Sequence, residues 1–332
     1  MRVLLLVNAS ASSVTARARV VIQKALAADH DITVAETSRR GHASRLAQGA
    51  AADGLDAVIV LGGDGTLNEA ANGLAGSRTA LGVLPGGSTN VFARTIGMTN
   101  DPIEATGELL AALQRRSTRR IGLGRVNGRY FLFHVGMGFD AAVVEQVERR
   151  SALKRYAGHP LFVYAAFVTW FRHYDRSRPR FALRTGSTDG SPGQVIDDAY
   201  FAICQNTHPY TYLGNRPLDV APTADLDSRL SLLAFRTLRA APTVRVIAAA
   251  LRGRGGSQLG HHRSTVFADD LAELTVTGYG PFPYQVDGDF LGETERLLLQ
   301  WERDALTLLM PDGSAPPPSG SDRSSSDKPS SD

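Results

Sequence analysis

The sequence contains little cysteine and no long apolar run. Its one cysteine, Cys204, cannot form an internal disulfide, and no Cys/His spacing of the zinc type accompanies it. The densest apolar run, residues 161–171, is shorter than the roughly 20 residues that a membrane-spanning helix needs. Residues 3–7 are too few for the apolar core of a secretory signal, and they predict a first strand instead. These absences argue against a disulfide scaffold, a structural zinc site and an integral membrane protein, and they favour a reducing, cytoplasmic compartment.

Lysine is also scarce, since all but three of the 36 basic residues are arginine. The basic residues are unevenly placed. Residues 115–184 carry fifteen of them against four acidic residues, a net charge of +11, whereas the rest of the chain carries −8. A basic face of this kind attracts phosphates, an anionic bilayer or nucleic acid. No known nucleic-acid-reading module accompanies the charge, so nucleic acid is not an expected partner.

The first hundred residues alternate short apolar runs with helical patterns. Residues 3–7, 32–35, 57–61 and 81–84 predict buried parallel strands, because strands covered on both faces lose the alternation of polar and apolar residues. Between several of these runs, apolar residues recur at helical spacing. The order predicts a doubly wound α/β domain at residues 1–122, with its ligand site beyond the carboxyl ends of the strands.

A second pattern follows over residues 123–303 and predicts a mainly antiparallel β domain. Longer and more irregular connections join its strand-like segments, which are residues 129–135, 181–184, 200–204, 230–235, 271–277 and 297–301. An apolar run near residues 304–311 predicts a last strand that returns to the first domain. Ser, Pro, Asp and Gly then dominate, which predicts a disordered tail over residues 312–332.

The strongest functional signal is the segment LGGDGTLNEAANGL, residues 61–74. Gly62, Gly63 and Gly65 form a turn after an apolar strand, and apolar residues then recur at helical spacing. Glycines let the backbone approach an anion closely and a helix N-terminus favours negative charge, so the turn predicts a phosphate site. Asp64 would repel a bare phosphate, which favours a bound Mg²⁺ at this position. A capping role for Asp64 in a tight strand-to-helix turn is the alternative.

A second glycine turn, LPGGSTNVFA at residues 84–93, follows the next predicted strand. Because two consecutive strand ends face one crevice, the two turns should line a common site. Ser88, Thr89 and Asn90 are placed there to reach phosphate oxygens. No Lys-Ser/Thr pair follows the first turn, so it is not a Walker A loop.

Four segments in order resemble the motif set of the diacylglycerol kinase catalytic family, which includes bacterial diacylglycerol kinases and sphingosine kinases. They are GGDGTLNE (residues 62–69), LPGGSTN (84–90), GMGFDA (136–141) and VDGD (286–289). The resemblance covers residues 1–311. NAD kinases and phosphofructokinases carry loops similar to the first segment, so the specificity comes from all four together.

The resemblance implies that the first domain holds MgATP. Several positions of this sequence match nucleotide-binding positions of the family. They come after the four predicted strands of the first domain. They are Asn8, Ser10, Ser12, Thr37, Gly62, Gly63, Asp64, Gly65, Thr66, Asn68, Glu69, Gly87, Ser88 and Asn90. The family usually has Asn-Pro-x-Ser-Gly at residues 8–12, and this sequence lacks the proline and the glycine.

The resemblance also implies a general base at Asp289, where the family more often has glutamate. Phosphoryl transfer needs positive charge around the γ-phosphate and a base near the acceptor hydroxyl. Asp64, orienting the metal, and Asp289 would then act across a cleft between the two domains. Asp287 would orient the loop or join the water network around magnesium, although Asp-Gly is also a common hairpin pair.

Two further segments border this predicted site. The family often has Asp-Asp-Gly where this sequence has Ser228, so Asp225 and Asp227 are the candidate ligands of a structural Mg²⁺. Residues 136–141 superficially fit a dinucleotide-binding turn but lie at the domain transition. We interpret them as a structural turn near the cleft, with Asp140 close to the active-site network.

Basic clusters flank the aromatic, apolar segment 161–171 within the stretch 149–180. The arrangement fits an interfacial helix on anionic lipid, and it also fits a core helix with solvated arginines. On the first interpretation the protein is cytoplasmic and lies at the inner face of the membrane, where it meets its lipid substrate.

The sequence therefore predicts an ATP-dependent lipid kinase that transfers the γ-phosphate of MgATP to a lipid hydroxyl. Diacylglycerol is the expected acceptor and phosphatidate the expected product. An NAD kinase-like phosphotransferase and a non-catalytic nucleotide- or lipid-binding module are the alternatives. A homodimer is compatible with the sequence, which does not specify the oligomeric state.

Overall fold

The computed structural model describes residues 1–149, 168–169, 174–186, 193–252 and 263–311. Strands and helices alternate in its first region. In chain order they are β1 (Arg2–Val7), α1 (Ala16–Ala27), β2 (Asp31–Glu36), α2 (His42–Ala52), β3 (Ala57–Gly62), α3 (Asp64–Leu74) and β4 (Ala80–Pro85). The four strands pair in parallel in the order β4-β3-β1-β2. The predicted doubly wound α/β region is confirmed.

Burial explains why these apolar runs form strands. Every residue of β3 and β4 is buried, because neighbouring strands cover their edges and helices cover their faces. The expectation of a buried strand is wrong for β2, which is only partly buried. This strand lies at the edge of the sheet, where one side has no neighbouring strand.

The helices of this region begin where the sequence offers capping groups. Thr15 precedes α1, and its hydroxyl accepts the backbone N–H of Ala18 at 3.1 Å. After β4 the chain forms the short helix α4 (Val91–Thr95) and then α5 (Pro102–Arg115). Asp101 caps α5 by accepting two backbone N–H groups in its first turn.

The second region is mainly antiparallel, as predicted. Its elements are β5 (Thr118–Val126), β6 (Arg129–Phe131), β7 (His134–Gly138), α6 (Phe139–Glu148), β8 (Phe181–Gly186), β9 (Val195–Ala199), β10 (Phe201–Gln205), β11 (Thr211–Leu213), β12 (Arg216–Leu218), β13 (Leu230–Phe235), α7 (Ala240–Ala250), β14 (Thr265–Leu271), β15 (Glu273–Val286) and β16 (Asp289–Leu309). Two strand predictions are wrong: residues 129–135 form two strands, and residues 271–277 join the end of β14 to the start of β15.

The long strand β16 links the two regions. Its first part forms a hairpin with β15, and its last part pairs with β5 and, at Leu308, with Leu81 of β4. Fourteen strands of the described residues thereby form one sheet, and β11 and β12 form a separate hairpin. The predicted boundary between residues 122 and 123 falls inside β5. The boundaries of the two domains stay a prediction.

Two large apolar clusters divide along β16. Leu306, Leu308 and Leu309 pack with the strands of the first region, whereas Leu297 and Leu299 pack with those of the second. The strand therefore contributes to both cores and fixes the distance between the end of its hairpin and the first region. Within the described ranges, no helix has both the length and the apolar character needed to cross a membrane.

Candidate active site

The first glycine turn lies where β3 ends and α3 begins. Gly62 is the last residue of β3, Gly63 is in the N-cap position, and α3 starts at Asp64. The first N–H groups of a helix have no carbonyl partner within that helix, and they carry the positive end of its dipole. The turn therefore presents positive partial charge at the carboxyl edge of the sheet, as expected for an anion site.

The second glycine turn lies directly against the first. A Cβ atom on Gly87 would be 2.8 Å from the Cα of Gly63, and one on Gly86 would be 2.9 Å from the Cα of Gly62. Only residues without a side chain allow this approach of two backbones. Asn90 holds the second turn, because its Oδ1 accepts the backbone N–H of Gly87 at 2.7 Å. Two predicted phosphate turns thus form one continuous backbone surface.

The end of β1 closes another side of this surface. Asn8 donates from Nδ2 to Oγ1 of Thr66 at 2.8 Å, and its Oδ1 accepts the backbone N–H of Ser10 at 3.0 Å. The amide of Asn8 thus connects the loop after β1 to the first turn of α3. This connection is made although the loop lacks the proline and the glycine that are usual in the family.

A cavity of about 310 Å³ opens on the first glycine turn. Its lining combines the loops after β1 and β2, the start of α3 and one residue of the second region. The lining residues are Asn8, Ser10, Thr37, Ser38, Arg39, Arg40, Gly65, Thr66, Glu69 and Asp289. A Cβ atom on Gly65 would lie 3.7 Å from Oδ1 of Asp289. The predicted base and the predicted phosphate turn therefore face each other in one cavity.

The hairpin between β15 and β16 brings Asp289 to this position. Val286 pairs with Asp289, and the two residues between them, Asp287 and Gly288, have φ angles of 49° and 83°. Positive φ at both central positions is the geometry of a tight two-residue hairpin. The segment is therefore a hairpin turn, and the turn also places Asp289 in the cavity.

Asp287 lies in the turn of the hairpin and anchors that turn to the interior of the protein. Its buried carboxylate accepts backbone N–H groups from Leu132, Phe133 and His134 at 2.7 to 3.0 Å and the side-chain amide of Asn68 at 2.7 Å. Burial raises the pKa of Asp287 to about 6, although these four donors favour its charged form. The carboxylate thus ties the hairpin to α3 and to the connection between β6 and β7.

Asp140 supports the same hairpin from its other side. The buried Asp140 accepts hydrogen bonds from the hydroxyl of Tyr210 and from Nε2 of Gln285, the latter at 2.7 Å. Gln285 in turn accepts the backbone N–H of Gly288 at 2.8 Å. Burial raises the pKa of Asp140. The glycine at position 136 makes room for its carboxylate, which a Cβ atom would overlap.

Comparison with known proteins matches this site to a family. Residues 2–126, which contain both glycine turns, match the sequence model of the diacylglycerol kinase catalytic domain. The matched segment ends within β5, before the hairpin that carries Asp289.

Relatives and solved structures extend this comparison. A diacylglycerol kinase of Bacillus subtilis is 38% identical over 120 residues, 36% of this chain and 39% of that protein. A probable lipid kinase YegS-like of Pseudomonas aeruginosa is 34% identical over 168 residues, 50% of this chain and 52% of that protein. These matches therefore span about half or less of each relative.

Two solved structures share the fold over nearly the whole chain. The crystal structure of a diacylglycerol kinase from Bacillus anthracis has a TM-score of 0.65 at 21% identity and covers 95% of this chain and 98% of that one. An NAD kinase from Archaeoglobus fulgidus in complex with ATP has a TM-score of 0.52 at 11% identity, with 95% of each chain covered. Both show that the two-region fold recurs in other solved proteins.

Within the matched residues 2–126, Asp64 has the position of a capping residue. Its two carboxylate oxygens accept the backbone N–H groups of Val91 and Phe92, at 3.0 and 3.1 Å, at the start of α4. Asp64 thereby joins the start of α3 to the segment after the second glycine turn. These contacts favour the alternative interpretation of Asp64 as a capping residue, although Asp64 caps α4 rather than α3.

Asn68 and Glu69 make contacts within the protein that support the site, and their binding of the nucleotide stays a prediction. Asn68 is buried and bonds to Asp287 and to Arg129. Glu69 lines the cavity, but its carboxylate accepts the backbone N–H groups of Gly41 and Ala43 at 2.7 and 3.1 Å, at the start of α2. A carboxylate repels phosphate, so Glu69 contributes by holding the loop after β2.

The structure gives no support for a metal site at Asp225 and Asp227. Asp225 accepts the backbone N–H groups of Asp227 and Ser228 in a local turn, and Asp227 forms an ion pair with Arg119. Across the part of the chain that the structure describes, no group of three or more His, Cys, Asp or Glu side chains is arranged to hold a metal.

The remaining predicted residues divide between the cavity and its surroundings. Thr37 and Ser10 line the cavity, whereas Ser12 and Ser88 are exposed on the turns beside it and Asn90 is buried beneath them. Most of the basic stretch 149–180, including the whole of segment 150–167, lies outside the described residues, as does the tail 312–332.

Sequence reasoning missed two arginines that contact Asp289. Arg40 lies 3.0 Å from its Oδ1, and Arg129 lies 3.0 Å from its Oδ2. Neither belongs to one of the four motifs. The sequence indicated Arg40 as a site residue only through its place near Thr37, on a loop at the carboxyl edge of the sheet. For Arg129 the sequence indicated only the start of a strand.

Proposed function

We propose that this protein is an ATP-dependent lipid kinase that transfers the γ-phosphoryl group of MgATP to the hydroxyl of diacylglycerol and forms phosphatidate. One observation carries the proposal. The carboxylate of Asp289 faces Gly65 of a glycine-built anion site within a cavity of about 310 Å³. The names of relatives that match through the catalytic domain support a lipid as the acceptor.

The chemistry assigns a task to each side of the cavity. Backbone N–H groups of the two glycine turns and the start of α3 hold the phosphates, with magnesium entering as the counterion of ATP. Asp289 accepts the proton of the acceptor hydroxyl while that oxygen attacks the γ-phosphorus. The bond from the γ-phosphorus to the bridging oxygen breaks, and ADP leaves.

A kinase of this type must reach a lipid at a membrane surface. The basic charge of residues 115–184 supports an approach to anionic bilayers from the cytoplasmic side. The protein is thus proposed to bind the membrane surface, with diacylglycerol entering the cavity from the second region.

The test measures transfer from γ-labelled ATP to a panel of acceptors in anionic vesicles, with NAD as a soluble acceptor. The wild-type chain should label diacylglycerol. Asp289→Asn should lower the rate by about 10²- to 10⁴-fold, the usual contribution of a general base, without weakening ATP binding. Asp269→Asn, an exposed aspartate on β14, is the matched control and should keep the wild-type rate.

Each other outcome favours a different function. Labelling of NAD and of no lipid would replace the proposal with an NAD kinase, whose fold this chain shares. ATP binding without transfer to any acceptor would support a non-catalytic nucleotide-binding module. An Asp289→Asn variant with wild-type activity would remove Asp289 from its role as the base.

A further inference from the structure

Two guanidinium groups hold the carboxylate of Asp289, one at each oxygen. Nη2 of Arg40 lies 3.0 Å from Oδ1, and Nη2 of Arg129 lies 3.0 Å from Oδ2. Oδ1 is also the oxygen that faces Gly65 of the glycine turn. The oxygen best placed to meet a substrate at the phosphate site is therefore occupied by Arg40.

The two arginines are held to very different degrees. Arg129 is mostly buried and also donates to Oδ1 of Asn68 at 2.8 Å, so it is fixed in a network of neighbours. The side chain of Arg40 is 61% exposed. Its second partner, Oε1 of Glu148, lies at 3.4 Å. An ion pair made by so exposed an arginine side chain is usually weak, so Arg40 can exchange partners at little cost.

The backbone that carries Arg40 is held in place. Glu69 of α3 accepts the N–H groups of Gly41 and Ala43, which fixes the loop after β2 relative to the first glycine turn. Arg40 itself lines the cavity together with Gly65 and Thr66. The exposed guanidinium of Arg40, on a backbone that is held in place, therefore lines the same cavity as the anion site and Asp289.

We propose that Arg40 is a switch that exchanges Asp289 for the terminal phosphate of the nucleotide. A terminal phosphate carries more negative charge than a carboxylate and offers three acceptor oxygens, and arginine binds such groups through two parallel hydrogen bonds. The negative charge of Asp289 raises the pKa of Arg40, so the guanidinium stays charged in either position. The inference rests on the proposed function, because it requires a triphosphate in this cavity.

The exchange couples nucleotide binding to the availability of the base. When Arg40 moves to the terminal phosphate, Oδ1 of Asp289 becomes free to accept the proton of the acceptor hydroxyl. The acceptor oxygen then bonds to the γ-phosphorus, the bond to the β-phosphate oxygen breaks, and the proton remains on Asp289. ADP lacks the γ-phosphate, and its terminal β-phosphate lies one phosphate unit farther from Asp289, so Arg40 returns to Asp289 once the Asp289 proton is released to water.

Calorimetric titration with MgATP and MgADP tests the first half of this inference. Arg40→Gln should raise the Kd for ATP by about tenfold or more, the size of one charge-assisted hydrogen bond, and the Kd for ADP by less than about threefold. Arg45→Gln is the matched control, because it removes an equal charge from the exposed face of α2. It should leave both constants unchanged.

A double-mutant cycle tests the second half. In the wild-type background, Asp289→Asn removes the charged partner of Arg40 before the nucleotide binds. This change should therefore tighten ATP binding by about threefold or more. In the Arg40→Gln background the same change should have a smaller effect, since no guanidinium is left to release. The difference between the two backgrounds measures the exchange separately from the general loss of negative charge.

The outcomes separate the switch from the function on which it rests. If Arg40→Gln weakens ATP and ADP equally, or if Asp289→Asn acts equally in both backgrounds, the switch is refuted while lipid phosphorylation by the wild type would still support the kinase. If the wild-type chain binds no ATP, the kinase and the switch fail together. Arg40 is exposed, so unchanged thermal unfolding of its variant is expected and excludes misfolding as the cause.

Discussion

Gly73 and Gly107 are helical glycines whose replacement by alanine should have opposite effects. Gly73 lies in α3 and Gly107 in α5. Alanine is preferred to glycine within a helix by about 1 kcal/mol, so local propensity favours both substitutions. A Cβ atom on Gly107 meets nothing within 4 Å, and Gly107→Ala should therefore raise the free energy of unfolding by about 1 kcal/mol.

The contact between α2 and α3 reverses the sign at Gly73. A Cβ atom there would overlap the carbonyl oxygen of Ser44 and lie 2.9 Å from the Cβ of Ala47 and 3.0 Å from the backbone nitrogen of Gln48. The helices must separate by roughly 0.5 Å or more to relieve these contacts, which loses a quarter or more of the dispersion energy along their interface. Overpacking of this kind costs up to about 3 kcal/mol. After the gain in propensity, Gly73→Ala should lower the free energy of unfolding by about 2 kcal/mol.

Urea denaturation of the wild type and the two variants checks this pair. The variants should differ by about 3 kcal/mol although the chemical change is identical. Because Glu69 on α3 holds the loop that carries Arg40, Gly73→Ala should also weaken ATP binding, whereas Gly107→Ala should not. A Gly73→Ala variant as stable as the wild type would refute the packing argument.

Two further expectations concern the second glycine turn and the buried carboxylate of the hairpin. Gly87→Ala forces the two turns apart, since its Cβ would lie 2.8 Å from the Cα of Gly63; ATP binding measured by calorimetry should weaken at least about tenfold, and wild-type affinity would contradict this. Burial raises the pKa of Asp287 from 3.8 to about 6, so the native state binds this proton more tightly than the unfolded state does. The stability that this group contributes is full below about pH 4 and is lost, by up to about 3 kcal/mol, as the pH rises through 6. The unfolding free energy of the wild type minus that of Asp287→Asn should fall over this range, and a constant difference would refute the assignment.

Local patterns were enough to predict the first region. Strands β3 and β4 are buried on both faces and so appear as uninterrupted apolar runs, and each glycine turn directly follows one of them. The wrong strand predictions come from backbone geometry, which the periodicity of apolar residues does not indicate. Residues 271–277 looked like one strand, but the chain turns near Asp270, whose φ is +54°, and β15 begins at Glu273. The predicted run 32–35 contains the polar Thr33 between Ile32 and Val34, and this alternation agrees with the partial burial of β2 at the edge of the sheet.

Long-range contacts account for the split of the strand predicted at residues 129–135. The N–H groups of Leu132 and Phe133 bond to the carboxylate of Asp287 instead of to a neighbouring strand. That partner is distant in the chain, and nothing in the local residues indicates it. The same contact carries the hairpin toward α3, so one buried carboxylate both breaks the strand and positions the site.

The sequence by itself determined the local features that carry the functional groups of the site. These are two glycine turns at strand ends and an Asp-Gly-Asp hairpin, and short-range backbone rules select the residues that form them. Tertiary structure decided how they act together. The long strand β16 anchors its apolar residues in both cores, and this brings Asp289 to Gly65. The arginine partners of Asp289 and the capping role of Asp64 depend on which side chains meet across folded elements, which packing sets and periodicity does not encode.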